Sequence, residues 1–556
     1  MKHTSPDIMK RLGILILFLA IAPMLNAQEE LEKEVQVVKP YDPSVSDAFK
    51  INYLPVIIDT IKYIPTFQYA LQPKPVPVKY DIIPIRAAKM VGEPLTKLYG
   101  NYLKVGVGSK TLPLIEYYHN NLRNDLYSYG GYFKQHSSFA KVKLNDDSKS
   151  FAGFNHTHAG VYGKRFFKNS ILDLNLSGGG DTYYAYGYDT DIDTSMNKDD
   201  IRKNYTHIDV QAEYYSNYTD SVHVNYEAGL YYSYFEDGLD NHENSFAFKG
   251  NLNRYFDSDM VGMDFGFTHI DGSGILDSLD NTIIKLNPWI GKFGKTWRVK
   301  AGISAYGNIM GDKSETYYYP HGRLEYDIVD HYFIPYAGVD GKMEVNSYRN
   351  NVGFNPYILQ GTRGPNTDHK LILYAGLKGN LSSSTFYNFQ AKYAIIEHMP
   401  FAVNAYASTD SAANQFVFLY DEVELKHYFG ELSHSVSEDF VIHAKGNWYS
   451  YKMKDLQEAF HRPQYDLSLM LRYDLRDKIV MRADAFLLGN QFYPKADGTI
   501  GELDPFIDLN LLIEYRYSKI LSAFVHLNNI LGTNNYRWNN YPQYGFHFTF
   551  GVSYAF

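Results

Sequence analysis

The chain has no cysteine, which excludes a lipid anchor on a leading Cys, any disulfide and any thiolate metal site. Tryptophan is nearly as scarce, at 4 residues in 556. Beyond Ala27 no apolar run is long enough to cross a bilayer as a helix. If this chain enters a membrane, it does so as a closed sheet. It also lacks a basic patch interleaved with aromatics, and its net charge is -9, so nucleic acid is not an expected partner. Neither Gly-x-Ser-x-Gly nor His-Glu-x-x-His occurs; the chain reads as a non-enzyme with no cofactor. Gly178-Gly179-Gly180 is followed by no Lys-Ser/Thr pair, so it is not a phosphate loop. In a strand it should mark a bulge or the close approach of another backbone.

What the chain has in excess is aromatic: 52 Tyr and 34 Phe. Hydrophobic residues reach 45% while mean hydropathy stays at -0.35, which suits segments that alternate between two faces. The end of the chain shows the alternation most clearly. Phe546, Phe548, Phe550, Val552, Tyr554 and Phe556 share one parity, and Gly545, His547, Thr549, Gly551, Ser553 and Ala555 the other. Side chains on a strand alternate between faces, so one face is apolar and the other small and polar. The same rule separates Leu467, Leu469, Leu471 and Tyr473 from Asp466, Ser468, Arg472 and Asp474, and Leu509, Leu511 and Ile513 from Asp508, Asn510 and Glu514. Charges confined to one parity in successive hairpins describe a lipid-facing outside and a watery inside.

The first 27 residues read as a signal peptide. Lys2, Lys10 and Arg11 precede the apolar run Ile14 to Ala22, with a small residue, Ala27, at the expected cleavage point. Residues 28–96 then carry nine of the 22 prolines, from Pro40 to Pro94. Proline removes a ladder donor and fixes φ, so this stretch is expected as an extended periplasmic arm rather than a sheet or long helix. Within it Ile57, Ile58, Ile61, Tyr63, Ile64, Phe67, Ile82 and Ile83 are too apolar for a solvated linker and call for a surface to lie on, whether the barrel wall or a periplasmic or lipoprotein partner.

Residues 97–556 divide into hairpins. Tight turns are expected near Arg123, Lys168, Tyr218, Asp257, Gly294, Val329, Ser382, Ser435, Arg476 and Ser518, with longer polar loops at 138–151, 189–204, 309–316, 342–367, 400–414, 451–463, 490–504 and 531–542. That spacing predicts an all-β fold: a transmembrane antiparallel barrel of about 22 strands, with both termini on the tight-turn, periplasmic side.

Its end, Phe524-Val-His-Leu-Asn-Asn-Ile-Leu-Gly532 with Tyr536, Trp538, Tyr541 and the final aromatic strand, resembles the carboxy-terminal end of TonB-dependent receptors, in the style common among Bacteroidota. The terminal set Phe546, Phe548, Phe550, Tyr554 and Phe556 resembles the signature by which outer-membrane barrels end. The resemblance implies an outer-membrane location, contact with outer-membrane lipids, handling by the barrel assembly machinery and a role in transport or reception. It also implies a departure, because residues 28–96 are too short and too proline-rich for the globular plug of that family. A plugless receptor or transporter is therefore expected, or else a structural or assembly barrel docking through its arm. Glu34-Val35-Gln36-Val37-Val38 resembles the short TonB-contacting motif, though an edge strand would read the same way.

Two groups offer metal ligands. Asp189, Asp191, Asp193 and Asp200 have the alternating carboxylates of a calcium loop but lack its glycine, and a solvated acidic loop explains them too. His156 and His158 share one strand face; they are either lumen-facing polar residues or two ligands of a zinc site whose third ligand the sequence does not identify.

Overall fold

The computed structural model describes residues 97–188, 197–218, 222–257, 259–276, 280–406 and 413–556. The signal peptide, the arm at 28–96 and the Glu34–Val38 motif lie outside the described residues, as do Asp189, Asp191 and Asp193.

Twenty-two antiparallel strands, from Asn101–Gly108 to His547–Ala555, pair in chain order, and the last pairs with the first. Every edge is thus closed, the condition for a sheet to exist in hydrocarbon. All ten expected tight turns fall between paired strands at one end of the barrel, as between Phe154–Phe166 and Ser170–Tyr184. Asn101 and Phe556 lie at that same end.

The faces follow the sequence parity. Phe548, Phe550, Val552 and Tyr554 point outward, with Phe550 51% exposed, whereas Thr549 between them is 4% exposed. The opposite parity carries the charge ladder inside: Arg516 reaches Asp474 at 3.3 Å and Arg482 holds Asp484 at 3.0 Å. Charges of both signs paired along and across the inner face suit a wet lumen.

Strand lengths are uneven. Leu114–Asn120 has 7 residues, while Thr385–Asn404 and Phe416–Ser435 have 20 each. Since about 10 tilted residues cross the hydrocarbon, the longest hairpin projects well past it. A register shift between Ile396 and Met399, with His398 at φ 53°, bends it there. Beyond the bend Phe401 and Val403 join one buried cluster and Ala402 another, so the tip is covered on both faces.

One expected loop is absent. Residues 309–316 form a two-residue turn, Gly311-Asp312, flanked by the pair Met310↔Lys313. Gly311 takes φ 55°, which a tight turn requires. Ser314, Glu315 and Thr316 are polar because they continue the strands toward the loop end, not because the ladder stops there. Three of the long loops carry hairpins of their own, at Lys141–Lys143 with Lys149–Phe151, Gln491–Pro494 with Ile500–Leu503, and Tyr536–Trp538 with Tyr541–Pro542.

Candidate functional site

The long loops turn toward one another. Val142 and Leu144 from one loop, Tyr186 and Tyr188 from the next, Tyr348 and Ile358, then Trp538 and Tyr541, meet in one buried cluster with the inward wall residues Tyr205 and Phe235. These loops leave the wall at points spread around the circumference, so the cluster forms a cap across the loop end of the barrel. Aromatic contacts hold it: Tyr357 stacks on Tyr541 at 4.0 Å, Tyr186 lies 4.9 Å from Tyr541, and Trp538 lies 5.5 Å from Phe416. Pairs of this geometry add about 1 kcal/mol each beyond their burial. Gly187 makes room for Tyr541, because a Cβ there would sit 2.3 Å from its ring.

The loop at 345–366 contributes most. Ser347 caps the short helix Tyr348–Phe354 by accepting from Asn350 N at 3.1 Å, and Pro356 stops it from continuing. Three acids on the inner wall hold this helix. Glu243 accepts from the amides of Tyr348 at 2.7 Å and Arg349 at 3.5 Å, the donors that a helix start leaves unpaired. Asp237 accepts from the Tyr348 hydroxyl at 2.8 Å. Asp209 takes both guanidinium branches of Arg349, one of them at 2.8 Å. Farther along, Lys203 donates to Ile358 O and to Gln415, each at 2.9 Å.

On the other side, His461 is fully buried. Its Nδ1 donates to Ala402 O at 2.7 Å, and its Nε2 accepts from Asn539 N at 3.1 Å. This fixes the neutral tautomer, and burial pushes its pKa down to about 4. Burial also drives the Tyr186 and Tyr541 phenols well above their ordinary values. Each stays a donor, Tyr186 to Pro542 O at 3.0 Å and Tyr541 to Asn414 O. Arg462 completes this part of the cap, donating to Pro400 O at 2.8 Å with its guanidinium 4.5 Å over Phe354.

Beneath the cap lies a cavity of about 310 Å³, lined by His156, Tyr183, Tyr357, Asp508, Asn510, Asn529, Tyr544 and His547. It combines aromatic faces with amides and imidazoles, the mixture that holds a polar organic ligand.

Of the residues singled out in the sequence, His156 and His158 both face inward, and Asp181 of the adjacent strand joins them. The glycines at 178–180 introduce no bulge; the register runs unbroken through them. The close approach is there, of a backbone and a ring together: a Cβ on Gly179 would stand 2.5 Å from both Thr157 O and His158 Nδ1. Asp200 is exposed in a turn, next to Ile201 of the cap core. Sequence reading passed over the helix Tyr348–Phe354, although Asn346-Ser347 ahead of it and Pro356 behind it were a start and stop signal. The three acids that receive it had no local signal.

No family model and no curated protein matches this chain. Its fold does match solved structures. The siderophore receptor PirA from Acinetobacter baumannii aligns with TM-score 0.65 at 11% identity, over 84% of this chain and 81% of that one. The FrpB iron transporter from Neisseria meningitidis gives 0.63 at 11%, over 83% and 82%. The pyoverdine outer membrane receptor FpvA from Pseudomonas aeruginosa gives 0.61 at 11%, over 83% and 79%. The chain therefore has the fold of outer-membrane receptor barrels: a closed antiparallel barrel of 22 strands.

Proposed function

We propose that this chain is an outer-membrane receptor or transporter, taking its ligand at the loop end and controlling passage with the inward-folded loops. The loop-built cap over a charged lumen carries this reading, because a barrel of this strand number left open would breach the outer-membrane barrier. An apolar outer face ending on Phe548, Phe550, Tyr554 and Phe556 supports insertion among outer-membrane lipids by the barrel assembly machinery, with both termini periplasmic. Likeness in fold to siderophore and iron receptors makes ferric chelates the first ligands to try. Residues 28–96 stand in the reading as a short arm in place of a globular plug, with Glu34–Val38 as the segment that would meet TonB.

Uptake of radiolabelled iron, offered as a panel of ferric chelates, tests the reading in cells with and without the gene. Loss of uptake of one chelate, restored by the intact gene and not by a copy lacking 34–38, is the expected result. Unchanged uptake of every chelate, with the protein present in the outer membrane, counts against it.

A second reading, a structural or assembly barrel docking through its arm, draws support from the apolar stretch Ile57 to Phe67. A partner that co-purifies with the full chain and is lost without 28–96, in cells whose uptake is normal, would favour it.

A further inference from the structure

We infer that the inner wall below the cap carries a transition-metal site, suited to Zn²⁺, built from His156, His158, Asp181 and His207. Asp181 Oδ1 lies 2.6 Å from His156 Nδ1 and 3.1 Å from His158 Nε2, and its other oxygen lies 4.0 Å from His207 Nδ1. The ligands of a tetrahedral zinc, at about 2.1 Å from the metal, stand about 3.4 Å apart. The ligand atoms of His156, His158 and Asp181 lie within 4.8 Å of one another, and His207, 4.0 Å from the far Asp181 oxygen, stands outside that group and turns in to complete the set.

The sheet register explains the convergence. His156 pairs with Asp181, and His158 with Gly179, which pairs in turn with His207. With no side chain on Gly179, the His158 ring lies across to His207, their centroids 5.1 Å apart. Three imidazoles and one carboxylate are thus drawn from three neighbouring strands.

The ion-pair chemistry sets this cluster apart. Elsewhere on the inner wall carboxylates meet Lys or Arg, as Glu325 meets Lys378 at 2.9 Å and Asp474 meets Arg516, or a single imidazole, as Asp340 meets His321 at 3.3 Å. Among the described residues, every ion pair of Asp181 is to an imidazole. Neutral imidazoles with one carboxylate are the donor set for borderline cations. The nearby guanidinium of Arg349 is already committed to Asp209, leaving the four donors for an incoming ion. His156 also lines the cavity under the cap, and the side chains of all four residues keep between 14% and 33% exposure. An ion in the lumen can reach them.

The site stands on this geometry and does not depend on the transport reading, so its test uses the purified barrel alone. Untagged full-length protein in detergent is titrated with zinc chloride by calorimetry, and Co²⁺ is added separately to read ligand-field bands. One Zn²⁺ per chain, with a tetrahedral Co²⁺ spectrum, is expected. His158→Asn should weaken binding by 10-fold or more, and Gly179→Ala should weaken it without removing any ligand. His331→Asn, in the exposed group with Asp327 and Asp330, should leave it unchanged. Heat-modifiability on a gel confirms that each variant is a folded barrel. Folded wild type that binds no zinc at micromolar concentration overturns the proposal, as does binding that survives His158→Asn or disappears with His331→Asn.

Discussion

Asn101 and Phe556 exchange both backbone hydrogen bonds, at 2.9 and 3.0 Å, joining the first barrel strand to the final residue. The aromatic ring of Phe556 is 48% exposed on the outer face, and Phe546, at the other end of the same segment, is 50% exposed. The two residues are similarly exposed, but only one completes the closure at the tight-turn end.

Deleting Phe556 should therefore reduce the folded barrel more than Phe546→Ala does. Both remove a comparable apolar area, while the deletion also removes the two seam hydrogen bonds. The amount of heat-modifiable protein in outer-membrane fractions measures this. Equal accumulation of the two variants would contradict it.

Arg349→Ala should loosen the cap without unfolding the barrel. The charge-assisted hydrogen bonds to Asp209 are worth about 2 kcal/mol, against a wall fastened by 22 continuous pairings. Planar-bilayer recordings should show more frequent openings than in wild type, and deletion of 346–364 should give a large steady conductance. Silence in the deletion variant would mean that another element occludes the lumen.

The cap should weaken in acid through His461. Folded, its pKa is held down at about 4 against the ordinary 6.5. Above 6.5 the ring is neutral in both the folded and the unfolded loop, and the cap keeps its full stability. As pH falls from 6.5 toward 4 the unfolded loop gains a proton that the folded one refuses, at a total cost of about 3 kcal/mol. Channel openings should rise across that window. His461→Asn, which cannot titrate, should flatten the profile, and an unchanged profile would remove His461 as the cause.

Tyr541→Ala should cost about 3 to 5 kcal/mol of local cap stability, because the ring is 2% exposed and packs on Tyr186, Tyr357 and Phe416. Limited proteolysis of the loop at 529–546 should become faster, with cleavage inside the barrel strands unchanged.

Removing residues 28–96 leaves these loops intact, so conductance should remain small. The expected loss is of a co-purifying partner. A wide pore in the truncated protein would place the arm in the lumen instead.

The barrel was legible in the sequence because its signals are local. Side-chain alternation from Phe546 to Phe556 and the turns near Lys168, Ser382 and Arg476 each need only a few neighbouring residues. Residues 309–316 misled for the same reason, since polarity marks a loop and a water-facing strand extension alike. The cap depends on contacts between residues far apart in the chain, such as Tyr348 with Asp237 or Tyr541 with Asn414. The metal candidates show the limit clearly. His156 and His158 declare their shared face by spacing, but Asp181 and His207 join them only through the register of two further strand pairs.

The unequal strands give the wall an uneven height. Strands of 20 residues run about 66 Å, and they stand on one side at Thr385–Asn404 and Phe416–Ser435. Strands of 7 to 9 residues surround the seam, at Asn101–Gly108, Leu114–Asn120, Leu521–Asn528 and His547–Ala555. The rim therefore slopes, with a high back and a low sill. The cavity lined by Tyr544 and His547 lies on the low side, so under the proposed receptor reading a molecule reaching the loop end sideways, rather than from above, would have the shorter route in.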